Sequence, residues 1–281
     1  MVAILLALLS AASYGVSDFI GGLVSRRVSA WSVAVVGQVS ATLCTALAAV
    51  VLGGTPSEPA FLWAGVGGVA SGIGTGFLYR GFSTGRMGVV APISAVGSAV
   101  VPMLAGVATG ERPGPVVWVG LVLAAPAIWL VSSTPGHATG ATLGSRASGA
   151  VDGVLAGLGF GGLFACLGQV PAGSGMWPLA LAQLISVPAV IAIASGLRAP
   201  WRPRDRQVGL AALTGPFGAG ATVLFLLATH HGFLTVTGVL ASLYPAATVL
   251  LAARVLREPI HRAQAGGLVL CAVSVALVIA G

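Results

Sequence analysis

Charge is sparse in this chain: Asp, Glu, Lys and Arg make up 7% of its 281 residues, where a soluble domain carries about 25%. Lysine is missing altogether, so the 13 basic residues behind the formal net charge of +7 are all arginines. The 3 cysteines, Cys44, Cys166 and Cys271, have no CxxC spacing and each lies in an apolar run, which argues against a disulfide framework or a zinc site. There is no HExxH, no GxSxG elbow and no GxxxxGK(S/T) loop, so metalloprotease, hydrolase and nucleotide-driven pump chemistry lack their residues. No cofactor and no enzymatic activity are expected. On a soluble protein a pI near 10.7 would suggest nucleic acid, but these arginines lie between apolar runs, where membrane loops carry them, and no nucleic-acid partner is expected.

What the chain does have is hydrophobic length. Apolar residues reach 57% and the mean hydropathy is +1.01. A bilayer core about 30 Å thick takes about 20 residues of helix to cross. Runs of that length fall at about 2–24, 31–53, 60–82, 87–109, 115–133, 150–171, 176–197, 208–230, 233–254 and 263–281. The strands of a transmembrane barrel are about 10 residues of alternating polarity, and these runs are about twice as long without alternation. The expected fold is therefore all-α, with ten transmembrane helices and the lipid bilayer as its main partner. The opening MVAILLALLSAASYG has no basic residue ahead of its apolar run, so the first span is expected to be retained.

The stretch Gly85 to Arg112 returns in altered form as Gly232 to Pro259. Gly85 and Gly232 are 147 residues apart, as are Glu111 and Glu258, and Gly72 and Gly74 match Gly218 and Gly220 at an offset of 146. The Ser-, Thr- and Gly-rich stretch from Ser132 to Gly149 divides the spans five and five, giving repeats at 1–133 and 150–281 with a linker at 134–149. Twelve of the 13 arginines follow odd-numbered spans, and Arg112 alone falls on the other side. The positive-inside rule then places those loops in the cytoplasm and both termini outside, in a bacterial-type inner membrane. The arginines follow the first and third spans of the first unit but the second and fourth of the second, so equivalent loops face opposite sides and the repeats are expected to be inverted.

Ten spans in two five-helix units, each with a fourth helix ending in Gly110-Glu111-Arg112 or Arg257-Glu258-Pro259, resemble the drug/metabolite transporter superfamily, EamA type. In that family each copy usually carries a proline thirteen residues before the glutamate; Pro245 fits, whereas the first copy has Ser98, with Pro92 and Pro102 nearby. The resemblance implies a secondary transporter that moves a small metabolite, amino acid, sugar or drug, often outward. A non-transporting membrane sensor or scaffold on the same fold is the competing class. A polar cavity between the repeats containing Asp18 or Tyr244 would favour transport, and a dry interface filled with Leu and Val would favour the other.

Asp18 is the only acid well inside a predicted span, and an ionisable group there costs at least about 2.5 to 3.5 kcal/mol unless partnered or hydrated. Ser10, Tyr14, Ser17, Asp18 and Gly21 share one face of the first helix. A carboxylate on that face can bind a cationic substrate or exchange a proton, as the first-helix acid of the related small multidrug-resistance transporters does; alternatively it pairs with Arg26 and Arg27 or is simply solvated near the cytoplasmic end. Gln38 on the second span and Tyr244 beside Pro245 on the ninth complete the substrate-binding or coupling candidates. Gly72, Gly74, Pro92, Pro102, Gly218 and Gly220 are candidates for close packing or hinges. Arg80 is expected to snorkel to the interface, and Glu111 and Glu258 to close helix ends and pair with neighbouring arginines.

Overall fold

The computed structural model describes residues 1–84, 87–132, 143–257 and 259–281, without the side chains of 87, 88 and 143–148. Gly85, Arg86, Glu258, the side chain of Arg146 and much of the 134–149 stretch thus lie outside the described residues. In hydrocarbon every backbone N–H and C=O must find a partner within the protein, which restricts a run of apolar residues to helix or closed barrel. Among the described residues there is no strand. The helices are α1 (Val2–Ser25), α2 (Ala30–Leu52), α3 (Glu58–Ser83), α4 (Met87–Ala108), α5 (Pro115–Ser132), α6 (Leu143–Leu167), α7 (Trp177–Gly196), α8 (Thr214–Thr229), α9 (Leu234–Ala241), α10 (Tyr244–Val255) and α11 (Arg262–Ala280), with a 3-10 helix at Arg206–Leu213 ahead of α8. Grouped by length and hydropathy they make ten helices able to cross a membrane, the eighth being the 3-10 helix with α8 and the ninth α9 with α10.

The packing has a two-fold pattern. Exchanging each span with the one five places along turns the α3–α6 contact into α8–α1, α3–α7 into α8–α2, and α4–α6 into the contact of α9 and α10 with α1. The α2–α7, α4–α9 and α5–α11 contacts map onto themselves. An odd number of crossings per unit starts the second unit on the opposite face of the membrane, so the pattern is that of an inverted repeat. Loops follow it too. On one face Ser29 Oγ donates to the Pro200 carbonyl and Ser32 Oγ to that of Arg202 at 3.2 Å. On the other the Thr55 amide donates to the Gly173 carbonyl at 3.2 Å.

Small residues let the halves touch backbone to backbone. A Cβ on Gly159 would lie 2.3 Å from the Gly74 nitrogen, and one on Gly72 would lie 2.9 Å from the Ser186 carbonyl oxygen. Gly72 and Gly74 are therefore packing positions on α3. Their register partners differ: a Cβ on Gly218 would meet only Ser17 Oγ at 3.6 Å, and one on Gly220 nothing within 4 Å. On the bundle's outside Leu43, Leu47, Val50 and Val51 of α2 are exposed, as suits a surface solvated by lipid.

The copies diverge at the fourth helix of each unit. α4 runs unbroken through Pro92 and Pro102, whereas its partner stops at Ala241 and restarts at Tyr244. Pro245 has no N–H to give the Ala241 carbonyl and its ring crowds that carbonyl, so the chain breaks there and Pro245 enters the first turn of α10. Ser98, at the register of Pro245, donates to Ser242 Oγ at 3.1 Å, seating the intact helix against the break. Pro102 fits against Gly238, where a Cβ would be 2.5 Å from the proline ring.

Candidate substrate cavity

Five helices bring polar side chains to a cavity of about 40 Å³ between the two halves. From the first unit come Tyr14, Ser17 and Asp18 on α1, Gln38 on α2, and Ser71, Thr75 and Tyr79 on α3; Gln183, Thr214 and Thr222 come from the second. At 10–15 Å³ per water the space holds about three. The α1 stripe lies as its spacing implies: Ser10 Oγ donates to the Ala221 carbonyl at 2.8 Å and Ser17 Oγ to that of Thr214 at 3.1 Å, both across the α1–α8 contact. Gln38 Nε2 donates to Ser71 Oγ at 3.0 Å and Thr75 Oγ1 at 3.2 Å. The glycine at 21 makes room for Tyr79, whose ring would lie 2.3 Å from a Cβ there.

Asp18 is 7% exposed. It forms no ion pair with a described residue, so the pairing with Arg26 or Arg27 that its position allowed is not seen. Buried charge is tolerated only with a counter-charge, a proton or water. Around Asp18 stand three phenols, those of Tyr14, Tyr79 and Tyr244. Tyr14 lies 5.6 Å from the Phe164 ring and 6.4 Å from that of Tyr244 between centroids, and its hydroxyl is buried without a hydrogen-bond partner.

The candidates from sequence divide between two cavities. Tyr14, Ser17, Asp18, Gln38 and Gly218 line the central one. Tyr244 and Pro245 line a second, of about 60 Å³, and Asp18 belongs to both. The Tyr244 hydroxyl sits 3.3 Å from Ser94 Oγ on α4. Pro92, Pro102, Gly72, Gly74 and Gly220 line neither. Sequence reading missed the α3 wall, although Ser71, Thr75 and Tyr79 recur at a spacing of four, one helical face.

Three charged residues stand differently from expectation. Asp152 is fully buried although it lies at the edge of its span, near the start of α6. Its partner is Arg80, which does not snorkel: the guanidinium binds Asp152 Oδ1 and lies 4.4 Å over the Phe77 ring. Glu111 closes a helix end, but that of the other repeat. Its two oxygens accept from the amides of Leu234 at 2.5 Å and Thr235 at 2.7 Å, capping α9.

Ten helices long and apolar enough to cross a membrane, arranged as an inverted repeat, thus surround a small cavity with polar side chains. Residues 1–133 match the EamA-like transporter family, part of the drug/metabolite transporter superfamily. Twenty chains of known structure also match; one of them, described only as "Crystal structure of protein", has a TM-score of 0.72 at 14% identity and covers 98% of this chain and 95% of its own. At that identity the likeness concerns the fold. Comparison with curated proteins found no match.

Proposed function

We propose that the protein is a proton-coupled secondary exporter of a small metabolite, amino acid or drug. The observation that carries this reading is Asp18, a buried carboxylate without an ion-pair partner among the described residues, in the wall of a cavity that both halves line with polar side chains. Such a carboxylate can hold a proton in one state and release it in another, so that inward proton movement drives outward movement of substrate. Repeats 1–133 and 150–281, joined by the 134–149 linker, rock against each other to expose the cavity to one face at a time. The arginine-bearing loops face the cytoplasm of a bacterial-type cell, which puts both termini outside. A polar cavity also favours transport over the sensor or scaffold alternative, which has no use for a buried, unpaired acid.

The test is uptake into inverted membrane vesicles, energised by a proton gradient, across panels of amino acids, sugars and cationic drugs. Wild-type vesicles should accumulate a substrate that Asp18→Asn vesicles do not. Full, gradient-driven accumulation by Asp18→Asn would overturn the coupling, and a C-terminal reporter active only in the cytoplasm would overturn the orientation.

A further inference from the structure

The second cavity lies between α1, α3, α4, α5, α10 and α11, and Asp18 is the one lining residue it shares with the central cavity. Its far wall is built from helix ends. Phe82 ends α3, Ala91 begins α4, Ser132 ends α5 and Gln264 begins α11, and all four ends adjoin the arginine-bearing loops. Thr248, Pro245 and Tyr244 of α10 line the side of the cavity that packs against α1.

Most of the cavity wall is apolar, and its polar groups stand at the two ends, Ser132 and Gln264 at one and Asp18 at the other. Ser132 is 6% exposed and its hydroxyl has no hydrogen-bond partner among the described residues. A buried hydroxyl without a partner costs about 1–3 kcal/mol, and the usual remedy is bound water. About 60 Å³ holds roughly four waters. The Ser132 hydroxyl and the Gln264 amide nitrogen can donate to them; Gln264 Oε1 accepts from the His261 amide at 3.1 Å, and Thr248 Oγ1, which donates to the Gly15 and Tyr244 carbonyls at 3.3 and 3.2 Å, can still accept. The row ends on a carboxylate.

We propose that this cavity is a hydrated proton passage between Asp18 and the arginine-bearing face, separate from the central cavity that takes the substrate. It rests on the proton-exchange reading of Asp18. A hydronium entering past Ser132 and Gln264 gives up a proton along the waters, a carboxyl O–H forms at Asp18, and water is left behind. The substrate never has to leave for the proton to enter, because the two meet only at Asp18. The titratable groups facing Asp18 are Tyr14 on its own helix, Tyr79 on α3 and Tyr244 on α10. α2, α8 and α9 contain no charged side chain, and Arg206 on the 3-10 helix is exposed.

The experiment is infrared difference spectroscopy of the protein in nanodiscs. The Asp18 carboxyl band, assigned by its loss in Asp18→Asn, is followed after transfer to D2O. Ser132→Val and Thr248→Val, which keep the side-chain shape and remove the hydroxyl, should each slow the deuterium shift of that band about tenfold, equivalent to 1.4 kcal/mol of barrier. Gln38→Leu, in the central cavity, should leave the rate as in wild type. Unchanged exchange in both valine variants, or slowing by Gln38→Leu instead, overturns the passage while leaving coupling at Asp18 standing. Absence of any Asp18 band that titrates while the protein stays folded overturns coupling and passage together. Matching amide bands and elution volumes exclude misfolding as the cause of slow exchange.

Discussion

Arg80 and Asp152 meet across the boundary between the halves, a guanidinium from the end of α3 on a carboxylate from the start of α6. On the opposite face the halves are joined without an arginine, through Glu111 and the first amides of α9. The rocking of the proposed cycle has to loosen these two fastenings in turn, and their chemistries differ enough to be tested apart.

Removing one partner of the ion pair is costlier than removing both. Arg80→Leu takes a guanidinium away from the fully buried Asp152 and should lower stability, by up to about 3–5 kcal/mol. Asp152→Leu should cost less, because the Arg80 side chain, 29% exposed, can reach the interface. The double leucine variant should recover most of the loss. Thermal unfolding in detergent, followed by tryptophan fluorescence, compares the four proteins.

Glu111→Ala removes an N-cap and should destabilise by about 1 kcal/mol. Glu111→Gln, which keeps one acceptor oxygen, should fall between wild type and alanine. The same unfolding measurement orders them; equal stability of all three would show that the cap contributes nothing.

Gly159→Ala forces apart the α3–α6 crossing, since the added methyl would meet Gly74 backbone, and should be destabilising by 1–3 kcal/mol or so, as overpacking is. Gly220→Ala has open space and a helical backbone, so it should be neutral or stabilising by up to about 1 kcal/mol. The contrast in melting temperature between two chemically identical changes is the readout.

Pro245→Ala restores an N–H that the Ala241 carbonyl can accept and removes the ring that crowds it. Joining α9 to α10 should raise stability by on the order of 1 kcal/mol and reduce transport turnover, if the break is where the second half bends. Higher melting temperature with unaltered turnover would separate the break from the motion.

The spans, their number and their pairing into repeats were legible because a bilayer imposes one length and one polarity on every crossing. The α1 stripe was legible for a related reason: Ser10, Ser17 and Asp18 are conspicuous against leucine and alanine, and they do face the second half. Less could be read where partners are distant in sequence. Arg80 and Asp152 are 72 residues apart, and nothing local distinguishes a paired arginine from a snorkelling one. Glu111 sits beside Arg112 in the chain, which suggested an ion pair, yet Arg112 donates to the Val107 and Glu111 carbonyls while the carboxylate reaches α9. The α9–α10 break needed Pro245 and its setting together, since Pro92 and Pro102 sit inside α4 without breaking it.

The cap that Glu111 provides also orders the making of the protein. During synthesis α4 and Glu111 enter the membrane more than a hundred residues before Leu234 and Thr235 exist. The first repeat must therefore wait with an acid at its outer rim until its counterpart arrives. The second, made by itself, would present two leading amides of α9 with no carboxylate to receive them. Each half is thus left chemically incomplete at the surface the other supplies, so two separately expressed halves should be recovered as a complex or be degraded singly.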